Sequence, residues 1–156
     1  MATLSADSQH NNTVWLNIQD FEFLCFNFAR ETLEFREPIP DYTTRNIPLL
    51  ESALSAPRQT FADKLLYPTL SSQASILFYS LIKNHPFING NKRIALMALL
   101  VFLSLNNKWL SISSDLLYEV ALNVAKSSDN NRDATLKRLT SLLHRHIIPY
   151  PLSPND

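Results

Sequence analysis

The chain contains one glycine, Gly90. It lies in the stretch His85-Pro86-Phe87-Ile88-Asn89-Gly90-Asn91-Lys92-Arg93, directly ahead of the longest apolar run, Ile94 to Leu103. That run is too short to cross a bilayer and has Lys92 and Arg93 at its mouth. It reads as a central core helix from about Asn91 to Leu105, apolar nearly all round and therefore buried on most sides. Glycine permits positive φ and close backbone approach. A loop that opens into a buried helix leaves the first N–H groups without intrahelical acceptors. Those donors, the helix dipole, Lys92 and Arg93 together make an anion site, above all for phosphate. Two cations placed where the dipole favours anions imply that the anion comes from outside. His85, just upstream, can act as a general base toward a nucleophile aimed at that phosphate. Each part alone has an ordinary reading. A lone His is most often structural, Asn-Gly is a common turn, and a Lys-Arg pair is usually solvated.

The same nine residues together resemble the signature of the Fic/Doc family, His-Pro-Phe-x-Asp/Glu-Gly-Asn-Lys/Gly-Arg. His85, Pro86, Phe87, Gly90, Asn91, Lys92 and Arg93 match it, and Lys92 in place of Gly points to the Doc, or death-on-curing, branch. The flanks agree, from Leu49-Leu50-Glu51-Ser52-Ala53-Leu54 through Tyr67-Pro68-Thr69-Leu70 and Tyr79 to Asn84, and on to Phe102-Leu103 and Asn106-Asn107. The resemblance is close over residues 45–110. It implies an all-α fold, a compact helical bundle around the buried motif helix, with a short extended or β-hairpin flap. It implies catalytic roles for His85 and Arg93 and nucleotide or phosphate binding by Gly90, Asn91, Lys92 and Arg93, with ATP and Mg²⁺ taking part. The flap, here Pro57, Arg58, Gln59 and Thr60, would pair with the backbone of a protein target as an added strand. Asn89 stands where the family has its metal-binding Asp or Glu. An amide oxygen can ligate Mg²⁺ but brings no charge, so weakened metal binding is expected.

The chemistry implied divides at position 92. Members with Gly there attach AMP to a target hydroxyl. The Doc branch, with Lys, transfers the terminal phosphate to a protein such as an elongation factor of translation. A Doc-like phosphate transfer is the reading favoured by Lys92. AMP transfer is the alternative enzyme reading, and a catalytically silent binding protein is the alternative left open by Asn89. Many Fic proteins carry an inhibitory helix with the pattern Ser/Thr-x-x-x-Glu-Gly/Asn. No Glu in this sequence is followed by Gly or Asn; Glu119 is followed by Val120. Inhibition is therefore expected in trans, from an antitoxin-type partner whose folded tail presents a Glu to Arg93.

With 156 residues the chain reads as a single domain, with residues 1–12 and 149–156 flexible. Its formal net charge is zero, which gives no global reason to expect nucleic acid or an anionic membrane as partner. One cysteine, Cys25, excludes an internal disulfide framework and fits a reducing, cytoplasmic setting. The N-terminal stretch lacks the basic region and apolar core of a signal peptide. No zinc-ligand spacing, P-loop or Gly-rich strand-to-helix turn is present.

The remaining expectations are local. A first helix should start at caps between Asn17 and Asp20 and run to about Glu34, although Phe21, Phe23, Cys25 and Phe28 also permit strand-like alternation. Pro38 and Pro40 break the chain. A short helix is expected from Thr43 to Ser55, then an extended segment, Ala56 to Phe61, with Pro57 biasing Ala56 away from helical geometry. Helices follow over 70–84, with Leu70, Ala74, Leu77 and Leu81 on one face, after a Ser113-Ser114-Asp115 cap, with Leu116, Leu117, Val120, Ala121 and Val124 inward, and from Arg132, with Leu136, Leu139, Leu142 and Leu143 inward. Pro149, Pro151 and Pro154 mark a loose tail.

Overall fold

Asn17 opens the first helix: its side-chain oxygen accepts the Asp20 N–H at 3.2 Å, as an N-cap should. The structure, a computed structural model, describes residues 12–32 and 38–151. The first helix, α1, has three parts: α-helical Ile18–Phe21, a π-helical stretch Glu22–Phe26, and α-helical Asn27–Thr32. The wider π turn resolves the ambiguity of its pattern. Phe21, Cys25, Phe26 and Ala29 face the core, while Phe23 is 72% exposed. Its expected end near Glu34 lies outside the described residues, as do residues 1–11, Pro154 and the rest of 152–156.

A 3₁₀ turn, Tyr42–Thr44, leads to helix α2, Ile47–Ser55. The helix expected from Thr43 thus starts later, because Asn46 caps it by accepting the Leu49 N–H and Pro48 occupies its first turn. Ala56–Arg58 is a second 3₁₀ turn rather than extended chain. Ala56 is αR (φ −53°, ψ −41°) despite Pro57, and both residues are buried. Burial of the pair outweighs the local bias of a pre-proline residue. Strands β1, Thr60–Phe61, and β2, Lys64–Leu65, then form an antiparallel hairpin with Thr60 opposite Leu65. Its two-residue loop, Ala62-Asp63, has positive φ at both positions (51° and 64°), the geometry that matches strand twist.

Helix α3, Leu70–Lys83, starts with a reciprocal capping box between Thr69 and Ser72. Helix α4, Asn91–Leu105, packs along it, and these two form the centre of the bundle. Burial on α3 extends well beyond the single face read from its leucines: Gln73 and Ser75 are fully enclosed. The Gln73 amide donates to the Tyr67 carbonyl at 3.0 Å and the Ser75 hydroxyl to the Ser71 carbonyl at 2.7 Å. Strand β3, Lys108–Leu110, follows α4. Helix α5, Ser114–Lys126, is capped by Ser113, and buries Leu117, Ala121 and Val124. Leu116, expected inward, is exposed. A 3₁₀ turn, Asp129–Asn131, precedes helix α6, Arg132–His146, which buries Leu136, Leu139 and Leu143 and leaves Leu142 at the edge. Strand β4, Ile147–Pro149, pairs antiparallel with β3, Trp109 opposite Ile148. The expected loose tail is therefore tied down at its start, and the Tyr150 N–H reaches the Asn107 carbonyl at 3.0 Å. Among the described residues, no helix is long and apolar enough to cross a membrane.

Cys25 is fully buried in the π turn, and burial pushes its thiol far above the ordinary range. Ellman's reagent at pH 8 should leave the native protein unlabelled and react fully once urea unfolds it. Rapid labelling of the native form would contradict the packing of α1.

Candidate active site

The loop between α3 and α4 is shaped by two residues in left-handed geometry. Asn84 ends α3, and His85 follows at φ 53°. Pro86 disfavours αR for the residue before it, and His tolerates αL better than most side chains. At the other end Gly90 (φ 78°) is the N-cap of α4. A Cβ at Gly90 would stand 2.8 Å from Ile39 Cγ1, so both the backbone and the space require glycine there.

Between these points the loop is held from inside. The Asn91 side chain closes a two-point clamp on one residue: the Phe87 N–H donates to Asn91 Oδ1 at 3.0 Å, and Asn91 Nδ2 donates to the Phe87 carbonyl at 2.8 Å. The Phe87 ring is buried among Phe26 (centroids 5.3 Å apart), Phe21 and Tyr42 (both 6.3 Å). The Pro86 carbonyl accepts the Asn46 N–H at 2.8 Å, and Asn84 Nδ2 donates to the Leu49 carbonyl at 3.1 Å. Inward-facing residues thus anchor the loop and leave the others outward.

What faces outward is a polar cleft of about 460 Å³ lined by His85, Ile88, Asn89, Gly90, Asn91 and Lys92 of the loop and helix start, with Ile82 and Lys83 from α3, Ala125 from α5, and Asp129. Within α4 the first bond is from the Ile94 N–H to the Gly90 carbonyl at 2.9 Å. The N–H groups of Asn91 and Lys92 lie ahead of it, at the positive end of the helix dipole. The cleft can therefore take a phosphate on main-chain donors, with the Lys92 ammonium beside it and the exposed His85 imidazole at the rim.

The expected site residues divide. His85, Asn89, Gly90, Asn91 and Lys92 come together in the cleft, but the Asn91 side chain is buried and bonded to Phe87 through both its oxygen and its nitrogen, which leaves the main-chain N–H as the group Asn91 turns toward a ligand. Arg93 does not line the cleft. Its Nη2 lies 3.4 Å from where a Gly90 Cβ would stand, on the side of Ile39, and it is engaged within its own chain. A partner's Glu, expected at Arg93, would therefore meet a guanidinium that already has contacts in cis. Pro57, Arg58, Gln59 and Thr60 do not line the cleft either. Pro57 is buried, Arg58 lies over the Trp15 ring at 6.0 Å, and the Gln59 carbonyl accepts the Leu66 N–H at the base of the hairpin. Lys83 and Asp129 line the cleft without having been signalled by the sequence. Lys83 ends α3 two residues before His85, whereas Asp129 stands far along the chain and is brought in by packing alone.

A family profile described as the Fic/DOC family matches residues 18–103, from the start of α1 almost to the end of α4. The chain is 36% identical over 83 residues to a protein named Toxin Doc from Mycolicibacterium smegmatis. That alignment covers 49% of this chain and 64% of the relative, so the chain spans less than two thirds of the relative's length. No solved structure matches.

The clamp makes a clear demand on residue 91. In Asn91→Asp a carboxylate oxygen would face the Phe87 carbonyl where the amide now donates. This substitution should cost about 2–4 kcal/mol in urea denaturation, the scale of a buried acceptor left unpaired. Wild-type stability in that variant would mean that the clamp does not hold the loop.

Proposed function

The chain belongs to the Fic/DOC family, and from that premise we propose that it is a Doc-like toxin that transfers the terminal phosphate of ATP to a hydroxyl of a protein target. The observation that carries this reading is the cleft at the start of α4, where His85, open main-chain donors and Lys92 face one space. A target hydroxyl gives its proton to the His85 imidazole as its oxygen bonds to the γ-phosphorus. The bond from that phosphorus to the β,γ-bridging oxygen breaks, and ADP leaves with the charge that accumulates on it. The donors at Asn91 and Lys92 and the Lys92 ammonium stabilise the negative charge on the phosphates. The left-handed backbone at His85 sets where its side chain leaves the loop, at the rim of the cleft.

Mg²⁺ takes oxygen ligands, and at the motif the cleft offers it the uncharged Asn89 amide oxygen. When bound, such an ion neutralises phosphate charge. The exposed hairpin, with Phe61 76% exposed, is the surface on which a target segment would be laid as an added strand. A translation factor as target, an antitoxin partner and a cytoplasmic setting belong to the same reading. A partner's contact with Arg93 would have to replace the contacts this residue already makes.

AMP transfer uses the same residues and differs in which phosphorus is attacked. Incubating the protein with ATP labelled at the α or the γ position and a cell extract decides between the two. Label should pass to protein from the γ position, and His85→Ala should lower that transfer by about 10²–10⁴-fold with the fold intact. Label from the α position alone would replace phosphate transfer by AMP transfer, and no label from either would favour a silent binding protein.

Asn89→Asp supplies the carboxylate the motif lacks. It should raise Mg²⁺-dependent transfer and toxicity on expression. An unchanged Mg²⁺ response in both measurements would remove position 89 from any metal role.

A further inference from the structure

The cleft contains a carboxylate that the phosphate reading does not use. Among the described residues, Asp129 is the only acidic one lining it. It opens the 3₁₀ turn Asp129–Asn131, and this turn is built into place. The Lys83 ammonium donates to the Ser127 carbonyl, fastening the turn to the end of α3 directly beside the motif loop. The Ser127 hydroxyl bonds back to the Val124 carbonyl at 2.6 Å, and Ser128 caps the turn by accepting the Asn130 N–H at 3.3 Å. Among the described residues, the Asp129 carboxylate itself has neither a hydrogen bond nor an ion pair, although Lys83 and Lys92 line the same cleft.

An uncommitted carboxylate facing a cleft for phosphates is electrostatically adverse by itself, because the two anions repel. A divalent cation between them reverses the sign. Mg²⁺ is usually held by one or two carboxylates together with substrate phosphates, and keeps several waters. Among the described residues, no group of three or more His, Cys, Asp or Glu side chains gathers into a ready metal site, so any ion here needs the nucleotide to complete its shell. Asn89 offers an oxygen without charge, and Asp129 offers the charge. We propose that Asp129 is the carboxylate ligand of a nucleotide-bound divalent cation in this cleft, serving across the cleft the role for which Asn89 lacks the charge. The proposal rests on the nucleotide reading above and adds a residue from outside the motif.

Binding measurements test it without any transfer reaction. The probes are ATP with Mn²⁺ and ATP with excess EDTA, followed by titration calorimetry, with Mn²⁺ paramagnetic resonance as a direct readout of the ion. The protein is the full chain as wild type, Asp129→Asn, and Asp129→Asn combined with Asn89→Asp. Wild type should bind Mn²⁺–ATP at least about tenfold more tightly than metal-free ATP, on the scale seen when supporting groups of a metal site are lost. Asp129→Asn should lose that advantage, yet bind metal-free ATP about threefold more tightly, the scale of one screened charge repulsion removed. Adding Asn89→Asp should restore the metal dependence. The opposite signs exclude a mere loss of structure, which would weaken both. An Asp129→Asn protein that keeps the full Mn²⁺ advantage overturns the role of Asp129 while leaving nucleotide binding standing. A wild type that binds ATP in neither condition overturns the nucleotide reading and the proposal with it.

Discussion

Two hydrogen bonds from the Asn91 side chain to the main chain of Phe87 are the constraint on which the candidate site depends. Neither is worth much in isolation, about 1 kcal/mol net each, but breaking one leaves a buried amide unpaired at greater cost. With Phe87 fixed at both its N–H and its carbonyl, the ring has one place to go, the aromatic group of Phe21, Phe26 and Tyr42. The chain before and after it must then turn outward. This is how a short loop presents His85, Ile88 and Asn89 to solvent while Pro86, Phe87 and Asn91 are enclosed. The same device recurs at the far end of α4. There the Asn106 side chain accepts the Val14 N–H at 2.8 Å and donates to the Val14 carbonyl at 2.9 Å. One asparagine fixes the site loop to the start of the central helix, and another fixes the N-terminal segment to its end.

Backbone strain at the loop is small and localised. His85 and Gly90 bracket it with positive φ. For His85 this costs about 1–2 kcal/mol relative to ordinary geometry, offset by the burial of Phe87 and Pro86 that the turn makes possible. Gly90 carries no such cost. It permits instead an approach of Ile39 that any side chain would block. The glycine that is single in this sequence is thus required twice over, by conformation and by packing, and its value to a phosphate site is a consequence of the open helix start it creates.

Much of this was legible in the sequence where the signal is local. The bounds of α4 follow from Gly90 on one side and Asn106-Asn107 on the other, with Asn107 taking the left-handed geometry that ends the helix. Ser113 reads as a cap and is one. What was hidden depends on distance or on backbone choices that side chains announce weakly. Strands β3 and β4 are short and lie at opposite ends of the α5–α6 pair, so neither has a local partner to signal it. The Ala62-Asp63 hairpin loop lacks the glycine that usually marks such turns, and the π turn of α1 shifts the helical period in mid-element. In the site, the motif residues were visible as a group, but not the division between Lys92 and Arg93. Successive helix residues differ by about 100° in direction, so when Lys92 lines the cleft, Arg93 is carried toward Ile39.

That division also explains the charge at the start of α4. The first turn holds no acidic residue, and its two cations oppose the helix dipole at a cost of some tenths of a kcal/mol each. Arg93, turned aside, is engaged within its own chain. Lys92 and the main-chain donors remain directed at the cleft, and Lys83, across from them, is held by the Ser127 carbonyl. Asp129 leaves the cleft with two ammonium groups and one carboxylate, positive before any ligand enters. A polyphosphate reverses that balance by several charges. On the nucleotide reading proposed above, a bound cation would offset that surplus, and among the side chains of this lining the oxygens open to it are those of Asn89 and Asp129, one neutral and one charged.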